Sequence, residues 1–116
     1  MPGQLITIGN SAFKQCENLT MINIPNTVGR INSNAFKNCT SLQNIVLSHN
    51  LSSIGDSAFE NCQSLQNITL PNYLTSIGDS VFKGCTNLAN INIPNYVTDI
   101  GNSVFENCQN LQNITL

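Results

Sequence analysis

The chain has 116 residues and 41% hydrophobic content, enough for one domain with a core of its own. Only 9% of its residues are charged and the net charge is −2, against about 25% charged residues in an average soluble domain. Four basic residues leave no footprint for nucleic acid or for an anionic membrane surface, and no apolar run approaches the roughly 20 residues of a spanning helix.

The opening Met1-Pro2-Gly3-Gln4 lacks the charged and apolar regions of a secretory leader. From Pro2 onward the chain is periodic. Phenylalanines 13, 36, 59, 82 and 105 and cysteines 16, 39, 62, 85 and 108 both advance by 23 residues without insertion. Isoleucines 8, 31, 54, 77 and 100 and leucines 19, 42, 65, 88 and 111 keep that step. The chain is therefore expected to form a single domain over 1–116, with repeats 2–24, 25–47, 48–70, 71–93 and 94–116 and no residues left for caps. Such an array reads as a fragment or a trimmed array, and its clean start and finish on repeat boundaries also permit an engineered one.

Within each unit the predicted elements follow one order. A short apolar pair such as Leu74 and Ile77, or Val97 and Ile100, comes first. Gly9, Asn32, Gly55, Gly78 or Gly101 follows, an alternation that predicts a positive φ. Asn10, Ser33, Asp56, Asp79 and Asn102 come next as N-caps of a short helical turn. Ser57 with Glu60, and Ser103 with Glu106, fit a capping box in an alternative register. Gln15, Asn38, Asn61, Gly84 and Asn107 predict a left-handed residue that closes the turn. Each unit ends in an alternating strand, as in Leu88-x-x-Ile91-x-Ile93, and Pro25, Pro71 and Pro94 terminate three of them.

One such unit cannot bury about eight apolar side chains alone, so the units must stack. The expected fold is an α/β repeat solenoid, a right-handed superhelix with a parallel sheet on one face and short helical turns on the other. Phe13, Phe36, Phe59, Phe82 and Phe105 form its expected core with Cys16, Cys39, Cys62, Cys85 and Cys108.

The string Leu65-x-x-Ile68-x-Leu70-Pro71-x-x-Leu74-x-x-Ile77-Gly78-x-x-Val81-Phe82-x-x-Cys85-x-x-Leu88 resembles the BspA-like, or Treponema-type, leucine-rich repeat. The match recurs along the whole chain, and Ile-Gly-x-x-Ala/Val-Phe-x-x-Cys is more specific than a leucine pattern alone. It departs from the commoner leucine-rich repeat, which places asparagine or cysteine soon after its strand. The resemblance implies a curved solenoid without a catalytic site. Many such relatives are longer surface or secreted proteins of host-associated bacteria and protist parasites, implicated in adhesion to host proteins or cells.

The cysteine spacing matches no zinc signature. A column of equivalent cysteines reads as buried apolar filler, with a bridge between neighbouring coils as the alternative. His49 has no nucleophile motif beside it, and Asp56, Asp79 and Asp99 sit at caps and turns, so no catalytic, metal or cofactor site is expected. The outward strand positions are the binding-face candidates: Met21, Asn23, Asn44, Val46, Asn67, Thr69, Asn90, Asn92, Asn113 and Thr115, with Tyr73 and Tyr96 on the rim. The plainer reading is that Asn and Thr solvate the sheet and form side-chain ladders, since these positions lack the usual hot-spot residues. A Thr/Asn array also suits ice or a repetitive glycan, but the threonine column is incomplete. Sequons at Asn18, Asn38, Asn50, Asn67 and Asn113 fit chance in so asparagine-rich a chain.

Three functions are therefore expected of the chain, all without catalysis. The first, which the resemblance implies, is a protein-binding module of adhesion type, with a host surface protein as its partner. The second is a structural protein that associates end to end through its uncapped faces. The third is an intracellular scaffold.

Overall fold

The structure, a computed structural model, describes residues 6–115; Leu116, expected to finish the last strand, lies outside them. Each 23-residue repeat makes one coil, and equivalent residues lie above one another. The strands in chain order are β1 (Ile6–Ile8), β2 (Met21–Asn23), β3 (Val28–Ile31), β4 (Asn44–Val46), β5 (Ser53–Ile54), β6 (Ser76–Ile77), β7 (Asn90–Asn92), β8 (Asp99–Ile100) and β9 (Asn113–Thr115). All pairing is parallel, from one coil to the next, as in Ile22↔Ile45 and Ile54↔Ile77.

Two sheet faces result. The alternating segment predicted as the main strand forms the pairs β2–β4 and β7–β9, and a bridge from Asn67 to Asn90 joins the third coil to the second pair. The segment read only as a short apolar pair makes the longer sheet, five strands in the order β1-β3-β5-β6-β8. Its isoleucine column suits β structure as well as the first segment does.

The expected helical turns are not there: among the described residues the chain forms no helix. Between the sheets the backbone alternates instead. Amides of Ser57, Phe59 and Asn61 donate to Asp79, Val81 and Lys83 of the next coil at 2.8, 3.0 and 2.7 Å. The intervening amides of Ala58, Glu60 and Cys62 close local turns onto Gly55, Ser57 and Phe59, three residues back. Parallel coils lie about 4.8 Å apart, whereas a helix with side chains is about 10 Å wide. Tight turns follow the coil spacing directly, whereas a row of helices would force the solenoid to curve.

Two left-handed residues per coil produce these turns. Asn38, Asn61 and Asn107 have φ of 64°, 62° and 62°, and Gly84 has φ of 75°, as the sequence predicts for that column. The second left-handed position falls on Ser11, Asn34, Ser57, Ser80 and Ser103, with φ between 58° and 61°, and not on the glycine column. Gly55, Gly78 and Gly101 are needed for another reason, close approach of the coil behind. A Cβ on Gly55 would stand 2.7 Å from the backbone of Asn32 and Ser33.

The predicted caps are also reassigned. The carboxylate of Asp56 accepts the amide of Asp79, and that of Asp79 accepts the amide of Asn102, both at 2.8 Å, so these side chains clamp successive coils. Glu60 and Glu106 lie 4.0 Å from Lys37 and Lys83 of the preceding coil. They make marginal ion pairs between coils where a capping box was expected.

Between the sheets and the turns runs one apolar core. Phe36, Phe59, Phe82, Cys39, Cys62 and Cys85 are fully buried, while Phe13, Phe105, Cys16 and Cys108 in the outer coils are half-buried. The five phenyl rings stack in one column with centroids 5.1–6.0 Å apart and planes within 7° of parallel. Such pairs are each worth about 0.5–1.5 kcal/mol beyond area burial.

Candidate binding face

Strand alternation drives Ile22, Ile45, Ile68 and Ile91 inward and leaves their neighbours outside. All ten strand candidates are exposed. The structure sets them in two rows: Met21 beside Asn44 and Asn67 bridged to Asn90 beside Asn113 form one, and Asn23 beside Val46 and Asn92 beside Thr115 belong to the other with Thr69. The face changes character along its length. Exposed Met21 and Val46 give the first two coils an apolar patch, and the later coils present amides and threonines. Asn113 donates to the Oδ1 of Asn90 at 2.9 Å, the kind of ladder that repetition was expected to produce.

Along the later coils the face is hollowed. A groove of about 560 Å³ is lined by Asn67, Thr69, Asn72, Asn90, Asn92, Asn113 and Thr115. Asn72 also borders a second hollow, between Tyr73, Asn95 and Tyr96. The tyrosine rings are 68% and 60% exposed, with centroids 6.0 Å apart and planes 19° from parallel. Such large open aromatic surfaces at the end of a groove are the strongest sign of recognition on this side of the molecule.

Sequence reasoning missed a second surface. On the five-stranded sheet Arg30, Ser53, Ser76 and Asp99 stand in register, bordering a shallow depression of about 620 Å³. The available signal was the column Thr7, Arg30, Ser53, Ser76 and Asp99, one residue before each repeat isoleucine. It was overlooked because only one sheet was expected.

The remaining candidates fall into place structurally. Cys39, Cys62, Cys85 and Cys108 each donate the thiol to the carbonyl of a phenylalanine one coil back, at 3.0–3.2 Å. Burial pushes all four thiols up, Cys85 to about 12, which suppresses the thiolate needed for nucleophilic or metal chemistry. All five cysteines are free, so the alternative of bridges between coils is not realised. His49 is exposed, and its backbone amide donates to Asn26 Oδ1 at 3.1 Å. The sequon residues Asn67 and Asn113 lie on the candidate face, lining its groove.

Comparison with known proteins resolves the family. The profile of the BspA type leucine rich repeat region matches residues 6–116 with six copies of its unit. The chain belongs to the BspA-type leucine-rich repeat family. A leucine rich cell surface protein from Faecalibacterium prausnitzii is 38% identical with a TM-score of 0.92, over 99% of this chain and 30% of that one. A leucine-rich repeat protein from Bacteroides ovatus is 40% identical with a TM-score of 0.91, over 96% and 29%. The leucine-rich repeat protein of T. pallidum is 34% identical with a TM-score of 0.93, over 100% and 55%. The chain thus spans 29–55% of the length of these three structures. A search of curated proteins finds no match. BspA-type repeats are generally non-enzymatic scaffolds, and among the described residues no helix is long and apolar enough to cross a membrane.

Proposed function

We propose that this BspA-type segment is a non-catalytic recognition module of a surface or secreted protein, with its groove and tyrosine rim engaging a host surface protein. The observation that carries this reading is the exposed Tyr73–Tyr96 pair at the end of an amide-lined groove. Tyrosine offers wide, stiff, amphipathic contact area, and asparagine offers adaptable hydrogen bonding, the combination that antibody paratopes use. The cell-surface description of the F. prausnitzii relative supports the location.

The test is capture by the immobilised chain from cell-surface and cytosolic extracts, with Tyr73→Ala/Tyr96→Ala as control. A surface protein held by the parent and lost by the double variant is the expected result. Equal capture by both chains defeats the reading, and selective capture of a cytosolic protein favours an intracellular scaffold.

A second reading rests on the last coil. Ile114 is 47% exposed, whereas its equivalent one coil earlier, Ile91, is 3% exposed. In a longer chain the next repeat would cover this face, and for the isolated 116-residue stretch a second copy offers a coil in register. End-to-end association of the isolated 116-residue chain follows from that match.

A further inference from the structure

We infer that the groove and the tyrosine pair bind a neutral oligosaccharide; this goes beyond the proposed protein partner and rests on the same face being the binding face. Three observations meet there. The first concerns charge. None of the ten charged residues lies in the strand-and-turn stretch that builds this face, in any coil (residues 20–27, 43–50, 66–73, 89–96 and 112–115). All ten are on the turns or in the five-stranded sheet, so every charge is kept from one exposed side of a solenoid that carries few. A surface that only solvates the sheet has no need of that segregation, because exposed strands tolerate lysine and glutamate well. A surface meant for a charged ligand would place opposite charge there.

The second observation is the density of amides. Asn72, Asn90, Asn92 and Asn113 converge on one groove, and each amide has two donors and a carbonyl with two lone pairs. The Asn113–Asn90 bond engages one donor and one acceptor, leaving the other halves of both amides for a ligand. Vicinal sugar hydroxyls, donor and acceptor on adjacent carbons, match a side-chain amide in pairs.

The third is the aromatic platform. Near-parallel rings in van der Waals contact lie about 3.5–4 Å apart, so a centroid separation of 6.0 Å means that Tyr73 and Tyr96 do not cover one another fully face to face. Part of each ring face stays open, as the exposures of 68% and 60% require. The apolar C–H face of a pyranose covers such a surface while its hydroxyls reach the amides. Asn72 borders both hollows, so one extended chain can occupy them together.

The experiment exposes the chain to immobilised neutral hexose and N-acetylhexosamine oligosaccharides beside the same oligosaccharides capped with sialic acid or sulfate, followed by calorimetric titration of the best neutral probe. Neutral probes are expected to bind, with affinity steady across the salt range in which ionic contacts are screened. Tyr73→Ala/Tyr96→Ala and Asn90→Ala/Asn113→Ala should each weaken binding at least about tenfold, while Tyr73→Phe/Tyr96→Phe keeps the platform and stays within about threefold. Unchanged thermal unfolding of these surface variants separates loss of the site from loss of the fold. Failure of every neutral probe, preference for the charged ones, or indifference to the alanine variants overturns the inference. Capture of surface proteins already stripped of glycans, still dependent on Tyr73 and Tyr96, would overturn it as well and leave the protein-binding proposal standing.

Discussion

The thiol of Cys62 donates to the carbonyl oxygen of Phe36, one coil back and three residues before its own equivalent, at 3.2 Å. Cys85 repeats the bond to Phe59 at 3.1 Å. The cysteine column is therefore more than filler of the right size: each central thiol gives a second donor, across the coils, to a turn carbonyl that already accepts an amide, Cys39 N–H at Phe36 and Cys62 N–H at Phe59.

Alkaline instability follows from that burial. Cys62 and Cys85 are held above their ordinary 9.0, by desolvation first and by neighbouring thiols next. In the unfolded chain both lose their protons as pH rises past 9, while the folded chain keeps them, so the unfolded state binds fewer protons and stability falls with pH. The contribution is complete below about pH 8 and declines at about 1.4 kcal/mol per thiol per pH unit, until the folded thiols titrate, near 12 for Cys85. Denaturant titrations from about pH 8 to about pH 11 should show this slope, and Cys62→Ala/Cys85→Ala should be flatter over the same range despite a lower starting stability. A parallel pH dependence in the two proteins would contradict it.

The glycine column predicts a positional contrast. A Cβ on Gly78 would lie 2.8 Å from the backbone nitrogen of Asp56 and 3.0 Å from the carbonyl carbon of Gly55, and backbone cannot swing aside. Gly9 in the first coil has nothing within 4 Å of the same position. Gly78→Ala should cost at least about 2 kcal/mol by prising two coils apart, and Gly9→Ala should stay within about 0.5 kcal/mol. Equal costs in chemical denaturation would sink the close-approach account.

That contrast marks the limit of what the sequence revealed. The period, the stacking and the inward set led by Phe59, Cys62 and Leu65 were legible because identical side chains every 23 residues have to fall on one another. That the glycine column is constrained was legible too, but the positive φ expected there is not the constraint. Glycine beside asparagine pointed to a positive φ, whereas the constraint is a contact with the neighbouring coil that no single-chain pattern records. Ser57 was invisible as a left-handed residue, because serine is not the usual occupant of that conformation. The outward rows from Met21 to Thr115 followed from alternation. The groove that joins them to Tyr73 and Tyr96 depends on how the turns sit against the strands, which periodicity leaves open.

The turn ladder carries its own test at Asn61. Its φ is 62°, and its Nδ2 donates to Asn38 Oδ1 at 3.0 Å. Alanine loses that bond and meets the left-handed penalty, about 1–2 kcal/mol for a residue with a Cβ. Asn61→Ala should therefore destabilise by about 1–3 kcal/mol in all. Glycine forfeits the bond and is relieved of the strain, so Asn61→Gly should stay within about 1 kcal/mol of the parent. Thermal unfolding of the two variants checks this, and an alanine variant as stable as the glycine one would show that Asn61 carries no left-handed strain.

The last prediction concerns the open coil. Ile100 and Ile114 are each 47% exposed, although Ile77 and Ile91 in the coil before are buried at 2% and 3%. Covering one such side chain is worth up to about 1.5–3 kcal/mol, and a second solenoid docked in register would cover both while continuing the ladders of β8 and β9. In light scattering over a concentration series, the isolated chain should exceed its 12.6 kDa monomer mass, with or without reductant because the cysteines face inward. Ile100→Lys/Ile114→Lys should return it to the monomer by placing like charge on the docking surface. A parent chain that stays monomeric at every concentration would show that the exposed edge is tolerated, and that the match between Ile91 and Ile114 serves stacking within one chain only.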